Sequence, residues 1–400
     1  MMSPSSVFRT PVLVLVNDDA ALSPPENGTH RDLQHSQSII KCPPRPPSSV
    51  PTKQTHTNPK SQSATTSTSP TLTSKKQSKI KTPYPQYLPT WDPIWFDPLP
   101  PFEYNDPALR ACKHKPNLLP PSNPSIKITH IQPNIGTTIE GLQLNTLTDA
   151  AKDELALLIS ERKVLAFPDQ NLIDDGPDAQ ESFMRYFGKP NYQPVSGSIR
   201  NHPAFHVIHR DGNRDEIARF LEARTTTTLW HQDGPEVGGD TVFSATDMAY
   251  KRLSPTLRSF LDTLKAVHSS AKMIHHTRLT GGLVRKDPVD SVHPLVRVHP
   301  VTGEKCLFLN QEFITKIPGL KEPETKWMLD FLMNHIITGH DFQARVRWQP
   351  RTIVMFDNRS TTHSAIVDYL DDEYGAKARH IFRLAALGEK PIPVYDEFDE

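Results

Sequence analysis

The chain has 400 residues and a formal net charge of zero, because 45 basic side chains balance 45 acidic ones. This balance gives no electrostatic reason to expect nucleic acid or an anionic membrane surface as a partner. The length suits either two average domains or one large domain with an appendage.

The cysteines and the N-terminal region bear on the cellular compartment. Cys42, Cys112 and Cys306 form no close pair and no zinc spacing, and their odd number argues against a disulfide framework. The apolar run at residues 11–16 is too short to span a bilayer. We therefore expect a cytoplasmic protein in a reducing compartment, although Arg9 leaves a weak organellar transit peptide as an alternative.

Composition divides the chain into three parts. Residues 1–82 are dominated by Ser, Thr, Pro, Lys and Gln, which predicts a disordered tail. Residues 83–125 are rich in both proline and aromatic residues, so we expect an extended arm that packs on a folded surface through its rings. Residues 126–400 are predicted to form the folded domain.

The hydrophobic pattern of the folded part predicts these elements in chain order. The first half should contain a short strand at 126–131, a helix after Thr148, a buried strand at 164–167, a helix from near Pro177 to Gly188 and a helix at 256–267. The second half should contain a hairpin at 296–299 and 306–309, a helix at 323–337 and strands at 342–348, 352–356 and 381–387. Many short strands with few helices predict a mainly β fold with flanking helices, a double-stranded β-helix or jelly roll.

Three side chains have the chemistry of a metal site. His231 and Asp233 are two positions apart, so on a strand both leave the same face and can reach one ion. His363 follows an apolar strand and a turn, where side chains of functional sites often lie. Two histidines and one carboxylate form the ligand set of a facial Fe(II) site. Alternatively, the first pair is polar surface and His363 is a hydrogen-bonded structural histidine.

Two arginines point to an anionic ligand. Arg379 and Arg383 are four positions apart in an apolar strand, which places both guanidinium groups on one face. A buried guanidinium needs an anion, and its planar fork binds a carboxylate or a sulfonate through two parallel hydrogen bonds. In the alternative interpretation, the arginines bridge Asp or Glu side chains.

With these motifs the chain resembles the taurine/2-oxoglutarate dioxygenases, and among them the fungal 2-oxoglutarate-dependent sulfonate dioxygenases. The resemblance covers about residues 84–391. The matching stretches are residues 87–93, 164–170, 230–233, 238–241, 299–304 and 357–363.

The resemblance implies a complete active site. In it, Fe(II) would be bound by His231, Asp233 and His363, the C5 carboxylate of 2-oxoglutarate by Arg379 and Thr241, and the substrate sulfonate by Arg383. With O2 as the other cosubstrate, a small taurine-like alkyl sulfonate would be hydroxylated at the carbon bearing sulfur. The products would be an aldehyde, sulfite, succinate and CO2. The resemblance also makes a homo-oligomer plausible.

Two positions depart from the family pattern. Gln193 precedes Pro194 where the family usually has a histidine that contacts the sulfonate, so the substrate could instead be a sulfate ester or a carboxylate. Asp233 lies only eight positions before Thr241, whereas the family places a further strand and turn there, on the order of 15 more residues. We therefore expect the jelly roll to lack one core strand segment after Asp233, and Asp233 could be the residue that resumes the pattern after a deletion.

These departures keep two other classes of function open. An impaired or inactive family member could use the same fold as a binding or scaffold protein. A zinc hydrolase could instead use His231, Asp233 and His363 around a bound water.

Overall fold

The computed structural model describes residues 83–210, 226–235, 237–279, 281–310, 312–366, 368–369 and 379–395; at 210, 226–227 and 232–233 it describes the backbone only. The tail expected at residues 1–82 therefore lies outside the described residues. The division into tail, arm and domain stays a prediction.

Six α-helices lie in the described ranges. They are α1 Asp149–Arg162, α2 Gly176–Arg185, α3 Thr246–Arg252, α4 Pro255–Leu261, α5 Ala271–Leu279 and α6 Glu322–Thr338. Helix α1 begins after Thr148, whose hydroxyl accepts a hydrogen bond from the backbone N–H of Ala151 at 3.3 Å, the usual action of a threonine N-cap. The helices predicted after Thr148, near Pro177 and at 323–337 are thus confirmed.

Sixteen strands are described. They are β1 Lys127–His130, β2 Thr137–Glu140, β3 Val164–Phe167, β4 His206–Arg210, β5 Thr226–Asp233, β6 Thr241–Ala245, β7 Lys265–Ser269, β8 Asp290–Pro294, β9 Val296–Val298, β10 Lys305–Leu307, β11 Ile314–Lys316, β12 Gln343–Val346, β13 Ile353–Asp357, β14 Thr361–Ala365, β15 Arg379–Ala386 and β16 Ile392–Pro393. The predicted hairpin is formed by β9 and β10, which pair antiparallel.

Two of the sheets face each other and enclose the core. The large sheet has the strand order β1, β2, β3, β13, β5, β15, β4, and the smaller sheet has the order β12, β6, β14. The rings of Phe243 in β6 and Phe356 in β13 lie 5.0 Å apart between these sheets. On the other face of the large sheet, Trp230 and Phe382 pack in a second core with residues of α1 and α2. The predicted jelly roll with flanking helices is confirmed.

The smaller sheet has three described strands. Among the strands that the structure describes, β4, β15, β5 and β13 face β12, β6 and β14, which makes seven where a two-sheet jelly roll has eight. Within the described ranges, β14 is the last strand on its side of the smaller sheet. Strand β5 instead pairs with both β13 and β15, so the large sheet is continuous.

One sequence prediction is wrong. The helix expected at 256–267 ends at Leu261, and residues 265–269 form β7, which pairs with both β8 and β11. A short apolar run fits either period, and here pairing on both edges favours the strand. Cys306 is a free, buried thiol. Cys42 lies outside the described residues, so the expected absence of a disulfide framework stays a prediction.

The segment at 83–125 packs on the folded domain, and Tyr87 is one of its buried residues. Its ring stacks on Phe382 with centroids 5.1 Å apart, and its hydroxyl accepts a hydrogen bond from Gln180 at 2.8 Å. The backbone carbonyl of Tyr87 is 3.0 Å from Nε2 of His380 in β15. This segment is therefore part of the core behind the large sheet.

Across the described helices, none combines the length and apolar content that a bilayer crossing requires.

Candidate active site

The central strands of the large sheet carry His231 and Arg383 on one face. In the ladder between β5 and β15, Ile381 lies opposite His231 and Arg383 lies opposite Leu229. Leu229 and Ile381 belong to the core between the two sheets. Because directly opposite residues share a face, His231 and Arg383 also point into the space between the sheets.

His231 is held as a neutral imidazole. Its Nδ1 lies 3.1 Å from the carbonyl oxygen of Gln349, so we assign the ring proton to Nδ1. Burial, with the charge of Arg379, lowers the pKa of His231 to about 4. A neutral ring with its N–H fixed by a carbonyl and a lone pair on Nε2 is the state of a histidine that binds a metal. A Cβ at Gly234 would lie 2.4 Å from this Nε2, so only glycine fits beside it.

Thr241 and Arg379 lie beside His231. The indole of Trp348 stacks on the His231 ring at 5.6 Å, and its Nε1–H donates to the Thr241 hydroxyl at 3.1 Å. Arg379 donates from Nη2 to the carbonyl of Gly239 at 2.9 Å. The structure thus brings His231 and Thr241 together through Trp348, and Arg379 is close enough for its charge to lower the pKa of His231. We call His231, Thr241, Trp348 and Arg379 the Arg379 cluster.

The glycine pair at 238–239 explains the local chain path. Gly238 and Gly239 have φ angles of +88° and +70°, a left-handed conformation that side chains other than glycine rarely adopt. The backbone N–H of Gly239 donates to the Asp368 carboxylate at 2.6 Å. This turn sets the Gly239 carbonyl against Arg379 and leads directly into Thr241.

Arg383 is the most unusual charge in the core. Arg383 is only 5% exposed, and its Nε and Nη2 have no hydrogen-bond partner among the described residues. Burial lowers the pKa of Arg383 to about 10, which still leaves it charged at neutral pH. An uncompensated buried charge is costly, so this position fits an anionic ligand.

His363 lies apart from the Arg379 cluster. It is opposite Phe243 in the smaller sheet, and its ring is 4.9 Å from that of Phe356. Phe356 pairs opposite Thr227, four residues before His231 on β5. At about 3.3 Å per residue these two rows are roughly 13 Å apart along the strand. Arg383 lies on the row midway between them.

The Fe(II) site that the resemblance implies therefore stays a prediction. The backbone of Asp233 pairs with His380, but its side chain lies outside the described part of the chain. No group of three or more His, Cys, Asp or Glu that could hold a metal occurs among the residues that the structure describes.

His363 also lines a cavity of about 350 Å³. Asn191, Tyr192 and Pro194 line the same cavity, and Gln193 between them is buried. Gln193 thus lies at the margin of the cavity, and its contact with substrate stays a prediction. The sequence reasoning missed His268 and His293 in the cavity wall, because neither has a partner at ligand spacing; the apolar strand context of both was the available signal.

A buried ionic network holds the turn before His363. The Asp357 carboxylate accepts hydrogen bonds from His299 Nε2 at 3.0 Å and from Arg359 Nε at 2.9 Å. Arg359 donates from Nη1 to Asp106 at 2.5 Å and also pairs with Glu389. The Arg359 guanidinium and His299 together hold the pKa of the Asp357 carboxyl well below its usual range, against the opposing effect of burial. The sequence motif at 357–359 thus has a structural role.

Comparisons with known proteins agree with the fold. Residues 127–385 match the model of the taurine catabolism dioxygenase TauD, TfdA family. An alpha-ketoglutarate-dependent sulfonate dioxygenase of Saccharomyces cerevisiae is 40% identical over 80% of this chain and 81% of its own. An alpha-ketoglutarate-dependent sulfate ester dioxygenase of Pseudomonas putida is 30% identical over 65% of this chain and 89% of its own.

A solved structure, a taurine dioxygenase from Burkholderia xenovorans, superposes with a TM-score of 0.55 at 26% identity, covering 68% of this chain and 92% of that one. The fold and the relatives define the class as the alpha-ketoglutarate-dependent dioxygenases. This chain belongs to the taurine catabolism dioxygenase TauD, TfdA family.

Mildly acid pH is expected to destabilise the protein through buried histidines. The pKa values of His231, His268 and His380 are each lowered by burial to about 4, whereas an unfolded histidine titrates near 6.5. The contribution of these three histidines to the free energy of unfolding is therefore at its full value above pH 6.5, and it is lost as the pH falls toward 4. Urea unfolding between about pH 7.5 and 4.5 should show uptake of up to about three protons on unfolding.

The variant His268→Phe should remove about one proton from that uptake. A free energy of unfolding that does not change over this pH range would contradict the assignment of neutral, buried rings.

Proposed function

We propose that this chain is a 2-oxoglutarate-dependent dioxygenase whose substrate is a small organosulfur anion, a sulfonate or a sulfate ester. The observation that carries the proposal is the buried guanidinium of Arg383, which faces the space between the sheets with two nitrogens unpartnered among described residues. The named activities of the relatives in yeast and Pseudomonas putida support an anion of this class.

Arg379 and Thr241 are proposed to bind the C5 carboxylate of 2-oxoglutarate. Trp348 donates to the Thr241 oxygen, which leaves the O–H of Thr241 to donate to a ligand. Arg379 uses Nη2 for the Gly239 carbonyl and is beside Thr241 in the Arg379 cluster. A carboxylate between these two groups would receive a charge-assisted hydrogen bond and a neutral one.

Arg383 is proposed to bind the sulfonate or sulfate group of the substrate. Two N–H groups of a guanidinium match two oxygens of such an anion, and exclusion of water strengthens the pair. Hydroxylation of the carbon bearing sulfur would give an adduct whose C–S bond breaks, releasing an aldehyde and sulfite. For a sulfate ester, hydroxylation of the carbon bearing the ester oxygen would release an aldehyde and sulfate. In both reactions 2-oxoglutarate is oxidised to succinate and CO2.

Fe(II) is general for this family, and the assignment of His231, Asp233 and His363 as its ligands stays a prediction. Since the described side chains do not converge on one ion, we derive no step through the metal. The same observation favours a second candidate function, that of a binding protein which has this fold but catalyses no reaction.

Turnover by the full chain tests the proposal. The purified protein is supplied with Fe(II), 2-oxoglutarate, O2 and, in turn, taurine, an alkyl sulfonate, an alkyl sulfate and a carboxylate. We expect succinate with one of the two sulfur classes, together with sulfite or sulfate in equal amount. A folded sample that binds 2-oxoglutarate but forms no succinate would instead identify the binding protein. Product release with bound zinc and without succinate would indicate the hydrolase.

The mass of the tryptic peptide spanning residues 225–251 is the control for this assay. It verifies that the protein tested has Asp233 joined directly to Gly234, as in the sequence.

A further inference from the structure

Two residues in the wall of the cavity beside His363 have a buried polar atom without a hydrogen-bond partner among the described residues. His268 of β7 lines it, and Nε2 of this ring is buried with no hydrogen-bond partner among the residues described. Thr246 at the start of α3 also lines it, is 4% exposed, and has a buried Oγ1 that likewise lacks a partner in the described ranges. Buried polar atoms are nearly always hydrogen-bonded, so these two need an explanation.

The surroundings of His268 fix its ring but leave Nε2 for a ligand. The ring stacks on Phe308 with centroids 5.2 Å apart and meets the edge of His293 at 5.4 Å. Burial, followed by the effect of His293, lowers the pKa of His268 to about 4, so the ring is neutral at physiological pH. A rigid, neutral imidazole can give or take one hydrogen bond and offers no charge to an anion.

The cavity is also larger than a two-carbon sulfonate requires. About 350 Å³ lies in the range of sites that enclose considerably larger organic molecules. Apolar side chains such as Met273 and Leu307 alternate in its wall with hydroxyl groups such as Ser270. Such a wall suits an organic chain that carries a polar group.

The position of the cavity relates it to the anion site at Arg383. His363 in the cavity wall packs on Phe356. In the large sheet, Thr227 of β5 lies opposite both Phe356 of β13 and Ala385 of β15. Arg383 is two residues from Ala385 on β15, which corresponds to about 7 Å. A substrate with its sulfur anion on Arg383 would extend past His363 toward His268.

We propose that His268 and Thr246 are specificity-determining residues that select a sulfonate or sulfate ester whose organic part carries a neutral hydrogen-bonding group, such as a hydroxyl. This inference rests on the proposed function, because it takes Arg383 as the site of the anion. Plain alkyl chains fit the cavity but leave both polar atoms unsatisfied.

Binding without turnover tests the selection separately from the proposed function. Calorimetry of the full chain, in the absence of oxygen and with 2-oxoglutarate present, compares a terminally hydroxylated butanesulfonate with butanesulfonate. We expect the hydroxylated ligand to bind about three- to tenfold more tightly, the value of one hydrogen bond. The variant His268→Phe, which keeps the ring stack, should lose this preference.

Two further variants make the result specific. Thr246→Val should reduce the preference without a change of shape. His275→Phe is the same substitution as at His268, placed on an exposed position of α5 outside the cavity wall, and it should keep the full preference. Equal affinities for the two ligands, no binding of either, or an unchanged preference in His268→Phe would each overturn the proposal. Succinate formation is measured in a separate assay. If the protein forms no succinate but still prefers the hydroxylated ligand, that result counts only against the proposed function.

Discussion

Arg359→Met should lower the free energy of unfolding by about 3–5 kcal/mol, because it leaves buried carboxylates without their counter-charge. Arg359 and Asp357 are both almost fully buried, and Asp106 shares the same guanidinium. Such a loss is a large fraction of the roughly 5–15 kcal/mol that stabilises a typical protein. Urea unfolding at neutral pH, followed by tryptophan fluorescence, measures it.

The matched control is Arg252→Met. Arg252 forms an ion pair with Asp341 in which both side chains are about half exposed, so its removal should cost less than about 1 kcal/mol. If both variants lose the same stability, the network does not have the role that its burial indicates. A large loss for Arg359 alone would show that the turn before His363 depends on this ionic network.

Arg383→Met should combine a functional loss with a gain in stability. Truncating one partner of a buried charged pair costs about 2–5 kcal/mol, so the affinity for the substrate anion should fall roughly 30- to 4,000-fold. The protein without ligand should become more stable, since a buried charge with no described partner at two of its nitrogens is replaced by an apolar side chain. Ligand calorimetry and urea unfolding give the two values.

Arg379→Met provides the contrast. Arg379 donates to the Gly239 carbonyl, so its removal should weaken 2-oxoglutarate binding without raising stability. If Arg383→Met proves destabilising in the absence of ligand, its guanidinium has a partner within the protein, and the anion site must be sought elsewhere. Arg383→Lys, which keeps the charge but not the planar fork, should recover only part of the affinity.

Local patterns in the sequence were enough to predict many elements. Thr148 marked the start of α1, and the apolar residues at 164–167 and the turn at Gly303 identified β3 and the hairpin, because each signal lies within a few neighbouring residues. Residues 265–269 were misassigned because their strand character comes from pairing with β8 and β11, which are distant in sequence.

The candidate site was predicted in its parts but not in its arrangement. The alternation of β15 correctly placed Arg383 on a buried face, since that depends only on the period of a strand. The distance between His231 and His363 depends on which sheet receives β5, and no local signal specifies that choice. The short spacing between Asp233 and Thr241 is the local signal that this part of the chain departs from the family pattern.

The contacts of Tyr87 have a consequence for the order of folding. Its carbonyl meets His380, 293 residues further along the chain, and its ring stacks on Phe382 of the same strand. Contacts of such long sequence separation form late, because closing the intervening loop costs entropy before any contact is gained. During synthesis, the apolar ring of Tyr87 must therefore wait until β15 has emerged, and until then it is an exposed surface that a chaperone can bind.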